Sequence, residues 1–240
     1  MEIIPAIDLI DGKCVRLTQG DYNQKKEYAS DPLQIAKQFE AAGIRRLHLV
    51  DLDGAKVKRI VNRDVVERIC GETSLRVDFG GGVQSDEDIE LAFQLGVSQV
   101  TGGSIAVKNP ELFAKWLDVY GGDRLILGAD ARDRKIAISG WQETTGMDLI
   151  SFIGEYHAKG VKYVICTDVA KDGLLQGPSL ELYTEIMEEI PEIRLIASGG
   201  VASMHDLQEL EKAGVYGAIV GKAFYEGRIS LAELSTFTQN

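Results

Sequence analysis

Cysteine is scarce: the chain has three, Cys14, Cys70 and Cys166, and no two are spaced C-x-x-C. An odd, scattered set argues against a disulfide framework and a structural zinc site, and suits a reducing cytoplasm, the expected location. Cys166 ends the apolar run Tyr163-Val164-Ile165-Cys166 and reads as a small packed hydrophobe rather than a nucleophile. Histidine is equally sparse. His48, His157 and His205 stand alone, no H-x-x-x-H or H-E-x-x-H pair exists, and no metal is expected. His48 reads as a packed residue near the second strand. Basic charge is in deficit: 26 Lys and Arg against 37 Asp and Glu leave a net charge of −11, without a long basic run. Nucleic-acid binding needs a clustered positive footprint and is not expected. No apolar stretch approaches the ~18 residues of a membrane helix. No basic segment leads into an apolar one at the N-terminus, so neither a signal segment nor a membrane partner is read. A Walker loop is missing, and no G-x-G-x-x-G follows the first strand with an acid at the right distance, so no dinucleotide cofactor is implied. No lysine ends a buried strand as a Schiff-base former would, since Lys171 and Lys222 stand among loop residues.

What is present is alternation. Apolar runs ending near Asp8, Asp51, Phe79, Thr101, Asp130, Asp168, Ser198 and Val220 read as eight strands, each followed by a loop and an amphipathic stretch. Alternating β and α implies a parallel α/β sheet with crossover helices. Eight such units imply a closed (β/α)8 TIM barrel with its active site where the strands end; a doubly wound open sheet is the alternative. At 240 residues and 45% hydrophobic content, the chain suits one barrel domain spanning 1–240. Asp31-Pro32 and Asn109-Pro110 read as N-caps with proline at the first helical position, and Gly43 as a stop. Ser85-Asp86-Glu87-Asp88 and Ser203-Met204-His205-Asp206 resemble capping boxes. Phe113, Trp116, Leu117 and Tyr120 form an apolar helix stripe assigned to packing.

The chain also echoes itself. Ile7-Asp8 with Asp11-Gly12-Lys13 returns as Ala129-Asp130 with Asp133-Arg134-Lys135. Gly81-Gly82-Val83-Gln84-Ser85 returns as Gly199-Gly200-Val201-Ala202-Ser203, and Val50-Asp51 as Thr167-Asp168. Two similar half-barrels, roughly 1–121 and 122–240, are expected. Such a repeat places Asp8 and Asp130 on opposite sides of one mouth, and the paired glycine-rich loops likewise. The ligand it suits is elongated, with an anionic group at each end and a reacting centre between them.

Gly80-Gly81-Gly82, Gly102-Gly103-Ser104, Ser198-Gly199-Gly200 and Gly221-Lys222 each follow a strand and precede a helix. Glycine admits close backbone approach to an anion, and a helix start offers unpaired N–H groups. One such loop makes a tight turn and nothing more, whereas two matched pairs point to phosphate. Asp8 and Asp130 could act as paired acid and base if their surroundings separate their pKa values, in either order. Asp11, Asp51 and Asp133 read as salt-bridging or loop-capping groups. Two carboxylates also describe a glycosidase, but phosphate loops argue against a neutral glycan. Trp141 lies in a long loop after the fifth strand, where its indole either stacks on a heterocycle or packs the loop. The loop through Gln19-Gly20-Asp21-Tyr22 is a candidate lid.

These motifs, with Val50-Asp51-Leu52-Asp53-Gly54-Ala55, Gly128-Ala129-Asp130, Gly140-Trp141, Thr167-Asp168, Asp172-Gly173, Gly177-Pro178, Ala197-Ser198-Gly199-Gly200-Val201 and Gly221-Lys222-Ala223, cover essentially the whole chain. The chain resembles the phosphoribosylformimino-5-aminoimidazole carboxamide ribotide isomerase family of histidine biosynthesis. The resemblance implies an Amadori rearrangement of an aminoaldose to an aminoketose, on a bisphosphorylated ribotide, without a cofactor. It implies that Asp130 is the general acid that opens the furanose and Asp8 the base at the second sugar carbon. Thr167 then positions the opening sugar with support from Asp168, and Trp141 stacks on substrate. Phosphate binding falls to Gly81, Gly82, Gly103 and Ser104 in one half, and to Gly199, Gly200, Gly221 and Lys222 in the other, with Gly173 lining the adjoining pocket. Two positions depart from the family: Gln84 stands where a basic residue is usual, and Gly102 where an apolar one is. A dual-substrate isomerase that also takes phosphoribosyl anthranilate, a cyclase-type synthase with a glutaminase partner, and a non-catalytic phosphate-ligand barrel are the alternatives. A monomer is expected.

Overall fold

The computed structural model describes residues 1–18 and 20–238, and Gln19 of the candidate lid lies outside the described residues. Its strands are β1 (Glu2–Ile10), β2 (Lys13–Thr18), β3 (Asp21–Ala29), β4 (Arg46–Asp51), β5 (Arg76–Gly80), β6 (Gln99–Gly102) and β7 (Leu125–Gly128). They continue as β8 (Ala131–Arg132), β9 (Lys135–Ile138), β10 (Glu143–Asp148), β11 (Tyr163–Thr167), β12 (Arg194–Ser198) and β13 (Gly217–Val220). Eight of these, β1, β4, β5, β6, β7, β11, β12 and β13, run parallel in that order. The pairing of Glu2–Pro5 with Gly217–Val220 closes the ring. This is the (β/α)8 barrel expected from the alternation. No helix among the described residues is long and apolar enough to cross a membrane.

The barrel strands are apolar on both faces because both are buried. Leu47, Leu49, Val77, Phe79, Leu195 and Ala197 join the outer core with the helices. Ile4, Ala6, Ile126, Ile165, Ile196 and Ile219 belong to a second, separate cluster inside the barrel. Each large side chain so placed contributes ~1.5–3 kcal/mol. Near the N-terminal end of the strands Arg46 is only 2% exposed. It bonds Gln99 and the Tyr216 hydroxyl, and lies over the rings of Tyr163 and Tyr216.

Two insertions depart from the expected loops. The first is the β2–β3 hairpin, whose inner strand pairs antiparallel with the top of β1 at Asp8↔Val15. β1 therefore runs to Ile10, two residues past Asp8. The second follows β7, which stops at Gly128, and consists of the small antiparallel sheet β8–β9–β10. Both hide from pattern reading for the same reason. β3 (DYNQKKEYA) and β10 (ETTGMD) are largely exposed and carry no apolar alternation.

The helix signals hold. Asp31 and Asn109 cap helices Pro32–Ala41 and Pro110–Tyr120, each with proline in the first turn. Ser85 with Asp88, and Ser203 with Asp206, form reciprocal capping boxes. Both aspartates also accept from the amide two residues before their serine's successor, at Gln84 and Ala202 respectively. Gly102 has a local cause: a Cβ there would stand 2.5 Å from the Phe113 ring, so the missing side chain makes room for that aromatic.

The glycine pairs are sterically obligatory. Gly81 (φ +92°) and Gly200 (φ +82°) each press on a neighbouring loop, and a Cβ would lie 2.2 Å from the carbonyl of Asp51 or of Gly177. Gly81→Ala or Gly200→Ala is therefore expected to destabilise the fold by roughly 2–5 kcal/mol. Gly146→Ala, where a Cβ meets nothing within 4 Å, should be near neutral. Denaturant midpoints check the contrast.

Candidate active site

Asp8 stands at the upper end of β1, paired across the backbone with Val50 of β4 and Val15 of β2. The hairpin brings Arg16 to it: Nη1 lies 2.9 Å from Asp8 Oδ2, with the two side chains 12% and 14% exposed. Burial pushes the Asp8 carboxyl above its usual range, while Arg16 and then His48 pull it back. Arg16 also covers Gly221, where a Cβ would meet the guanidinium at 2.5 Å. Only glycine leaves that space open.

Asp130 lies two residues beyond β7. Its Oδ2 accepts a 2.8 Å bond from the Trp141 indole N–H, and the Thr167 hydroxyl donates to the same carboxylate. Burial raises its pKa and these two donors moderate the rise. Trp141 holds a left-handed backbone (φ +67°), and the Gly20 backbone packs against its ring, with a Cβ there 2.9 Å from Cε3. The indole thus joins the two insertions over the mouth.

Asp172 follows β11 and shares a cavity with Arg16, Gly173, Gly199, Gly200, Gly221 and Lys222. The second-half residues expected to bind phosphate thus come together, under two cationic side chains. Lys222 Nζ donates to the Gly173 carbonyl at 2.8 Å. Burial lifts the Asp172 carboxyl to about 6, with Arg16 opposing and Asp8 and Asp130 reinforcing. In the first half Gly81 and Gly82 repeat the φ values of Gly199 and Gly200, at +92° and +89° against +90° and +82°. Gly103 (φ −100°, ψ −85°) repeats Gly221 (φ −110°, ψ −99°). Ser104 Oγ accepts from the Ser139 amide at 2.9 Å, and Lys108 donates to Ser139 Oγ at 2.7 Å. The β9–β10 turn is thereby tied down on the first-half loop.

Other carboxylates organise loops. Asp51 accepts from the amides of Gly54, Val61 and Asn62 and from the Asn62 side chain. Asp168, its counterpart in the echo, accepts from the Ala170 amide and the Ser179 hydroxyl. Asp168 thus shapes the loop that carries Asp172.

Sequence reading gave no site role to four residues that lie at this mouth or just beneath it. Arg16 is a lone charge in Cys14-Val15-Arg16-Leu17, and Asp172 precedes a glycine as Asp11 does. His48 and Asp78 interrupt apolar strand runs, a buried-polar signal that was available. His48 Nδ1 lies 2.5 Å from Asp78 Oδ1, and Asp78 is 1% exposed.

The Asp172 shift carries a stability prediction. Its pKa rises from 3.8 unfolded to about 6 folded, so the folded state binds more protons between those values. Stability therefore falls as pH rises through that window. Asp172→Asn is expected to stabilise the protein at pH 7 by ~2–3 kcal/mol and to change little near pH 3.5. Urea midpoints at the two pH values check it.

Buried carboxyl groups with raised pKa values, beside a cationic cavity lined by glycine at the strand ends of a (β/α)8 barrel, equip a protein for acid–base chemistry on an anionic ligand. The chain belongs to the histidine biosynthesis protein family, whose sequence model matches residues 2–230. Its relatives include proteins described as 1-(5-phosphoribosyl)-5-((5-phosphoribosylamino)methylideneamino)imidazole-4-carboxamide isomerase. That of Cytophaga hutchinsonii is 60% identical over 237 residues, 99% of each chain. That of Parabacteroides distasonis is 58% identical over 238 residues, 99% of this chain and 100% of the relative. That of Flavobacterium psychrophilum is 55% identical over 240 residues, the whole of both chains.

Proposed function

We propose that this protein is the aldose–ketose isomerase of histidine biosynthesis. It converts the bis-phosphoribosyl aminoimidazole carboxamide aminoaldose to its ribulosyl aminoketose. The observation that carries the reading is the pair of largely buried carboxyl groups with raised pKa values, Asp8 and Asp130, at the first and fifth strands of an eight-stranded ring, combined with full-length relatives described as that isomerase. Two half-barrels, 1–121 and 122–240, make one domain with a phosphate loop on either side. The matched loop torsions and capping boxes support that division.

The chemistry balances with protons alone. Burial favours the protonated form of Asp130, which suits it to protonate the furanose oxygen. The C1–O bond breaks as the amine nitrogen forms C1=N. Asp8, whose carboxylate form the neighbouring Arg16 favours against burial, takes the proton from C2, and those electrons make the enaminol while the iminium is neutralised. Protonated Asp8 returns a proton to C1 as the 2-hydroxyl loses its own and C2=O forms. The Asp130 carboxylate, bare since the first step, is the final acceptor. Each positioned acid or base contributes ~10²–10⁴-fold. Thr167 orients Asp130 and the opening sugar, Trp141 covers the reacting centre, and the glycine loops hold the phosphates. Gly81, Gly82, Gly103 and Ser104 take one end; Gly173, Gly199, Gly200, Gly221 and Lys222 take the other. No cofactor enters, and the enzyme works as a cytoplasmic monomer on a small molecule.

A second reading assigns the first proton to Asp172, favoured by its pKa of about 6 beside Asp8 and Asp130. The overall test is turnover of the purified protein on the ribotide and on phosphoribosyl anthranilate. Conversion of the ribotide alone is expected. Conversion of both would make the enzyme dual-substrate, and conversion of neither with tight binding would leave a binding barrel.

A further inference from the structure

The echo between the halves fails at one layer of the barrel interior. His48 of β4 pairs with Asp78 of β5, and Asp78 with Gln99 of β6, two residues before Thr101. In the other half Ile165 of β11 pairs with Ile196 of β12, and Ile196 with Gly217 of β13, two residues before Ile219. The register is the same, so His48, Asp78 and Thr101 occupy the places of Ile165, Ile196 and Ile219. The isoleucines pack together in the buried interior cluster. The fold therefore fills this layer with aliphatic side chains on one side and a polar network on the other.

That network carries a penalty that packing does not explain. Asp78 Oδ1 is shared by His48 Nδ1 and the Thr101 hydroxyl, at 2.5 and 3.2 Å. Asp78 Oδ2 is buried without a partner, and an orphaned carboxylate oxygen in a barrel core calls for a cause beyond stability. With Nδ1–H on Asp78, the other ring nitrogen of His48 takes no part in that bond. Among the described residues no protein group bonds the other nitrogen. His48 stands on the strand next to Asp8, two residues below it in register (Ala6↔His48, Asp8↔Val50). Once protonated, it would lower the pKa of both Asp8 and Asp130.

We propose that Asp78 and His48 form a carboxylate–imidazole dyad that takes the proton of the sugar's 2-hydroxyl as the enaminol collapses, and relays it to Asp130. The inference rests on the isomerase reading above. In the step, the O–H bond of the 2-hydroxyl breaks and its proton passes to His48 Nε2. The oxygen electrons make C2=O, the C1=C2 pair takes the proton from Asp8, and the imidazolium then gives its proton to the Asp130 carboxylate. Asp78 is a positioning residue: it fixes the tautomer and stabilises the imidazolium, the logic of an aspartate behind a histidine base. The groups facing His48 are Asp78 from β5, Asp8 from β1, Arg16 from β2 and Asp130 beyond β7. Burial lowers its pKa, Asp78 and Asp8 raise it, Arg16 lowers it, and the net direction is up. That direction suits a proton acceptor.

The test is the pH dependence of kcat and KM for the full-length protein and its Asp78→Asn variant on the ribotide. Asp78→Asn is expected to lower kcat by about 10²-fold with KM little changed, because an acid–base partner is disabled. The acid limb of the kcat profile should move to lower pH, since His48 loses the charge that makes it basic. A merely structural Asp78 would leave that limb in place. In parallel, the combined variant His48→Ile, Asp78→Ile, Thr101→Ile copies the other half; it is expected to fold with an unchanged circular dichroism spectrum and to lose turnover. An unshifted acid limb in Asp78→Asn overturns the proposal, whether or not kcat falls. So does wild-type turnover in the triple variant; if that variant does not fold, Asp78→Asn alone decides. Failure of the wild type to convert the ribotide is a separate result, which removes the isomerase reading and this inference with it.

Discussion

Asp8→Asn is expected to lower turnover by about 10³-fold or more while substrate affinity stays within a few-fold, because the change removes a proton acceptor and keeps its shape. Asparagine cannot take the C2 proton, yet it preserves volume beside Arg16, whose guanidinium is 2.9 Å away. The glycine loops proposed to hold the phosphates do not include Asp8, so ground-state binding should survive. Arg16 keeps a second counter-charge in Asp172, which limits the damage to folding. Steady-state kinetics with calorimetric titration of substrate check both halves. A fall in affinity matching the fall in kcat would make Asp8 a binding residue, and unchanged turnover would remove it from the mechanism.

Asp130→Asn should fall by ~10²–10⁴-fold in kcat, for loss of the acid proposed to open the furanose. The comparison with Asp172→Asn gives the result its force. Asp130 is held by the Trp141 indole and by Thr167, in a position fixed by the β7 strand end. Asp172 instead belongs to the cavity of Arg16, Gly200 and Lys222. If Asp130 supplies the first proton, Asp172→Asn mainly raises KM, by loosening the phosphate pocket. If Asp172 supplies it, the order of the two kcat losses reverses. The Asp172 variant should also be the more stable protein at neutral pH, so a loss of activity there cannot be assigned to unfolding.

The residues legible from sequence are those whose signal is local. Eight apolar runs and their caps announce a barrel, since a strand buried on both faces is apolar throughout and a capping box spans four residues. Asp8 and Asp130 are legible because each ends such a run, and the glycine loops because they recur. Less legible is whatever depends on a distant partner. Arg16 matters because an antiparallel hairpin folds it back onto Asp8 and over Gly221, and that hairpin has an exposed, polar outer strand. Asp172 draws its raised pKa from burial and from neighbours on other strands, not from its own segment. The departure at Gly102 makes sense only with the Phe113 ring, eleven residues further along, in view. Asp168 stood as an adjunct to Thr167 on motif position alone, and its hydrogen bonds engage it within its own loop.

The most direct test of the account is to run the wild-type reaction in D2O and locate deuterium in the product by mass spectrometry and NMR. A carboxylate base that exchanges with solvent before returning its proton puts deuterium on C1 of the ketose, and that incorporation is predicted. Complete absence of deuterium at C1, together with undiminished turnover of the Asp8→Asn variant, would mean a direct shift of hydrogen between the two carbons and would contradict Asp8 as the base.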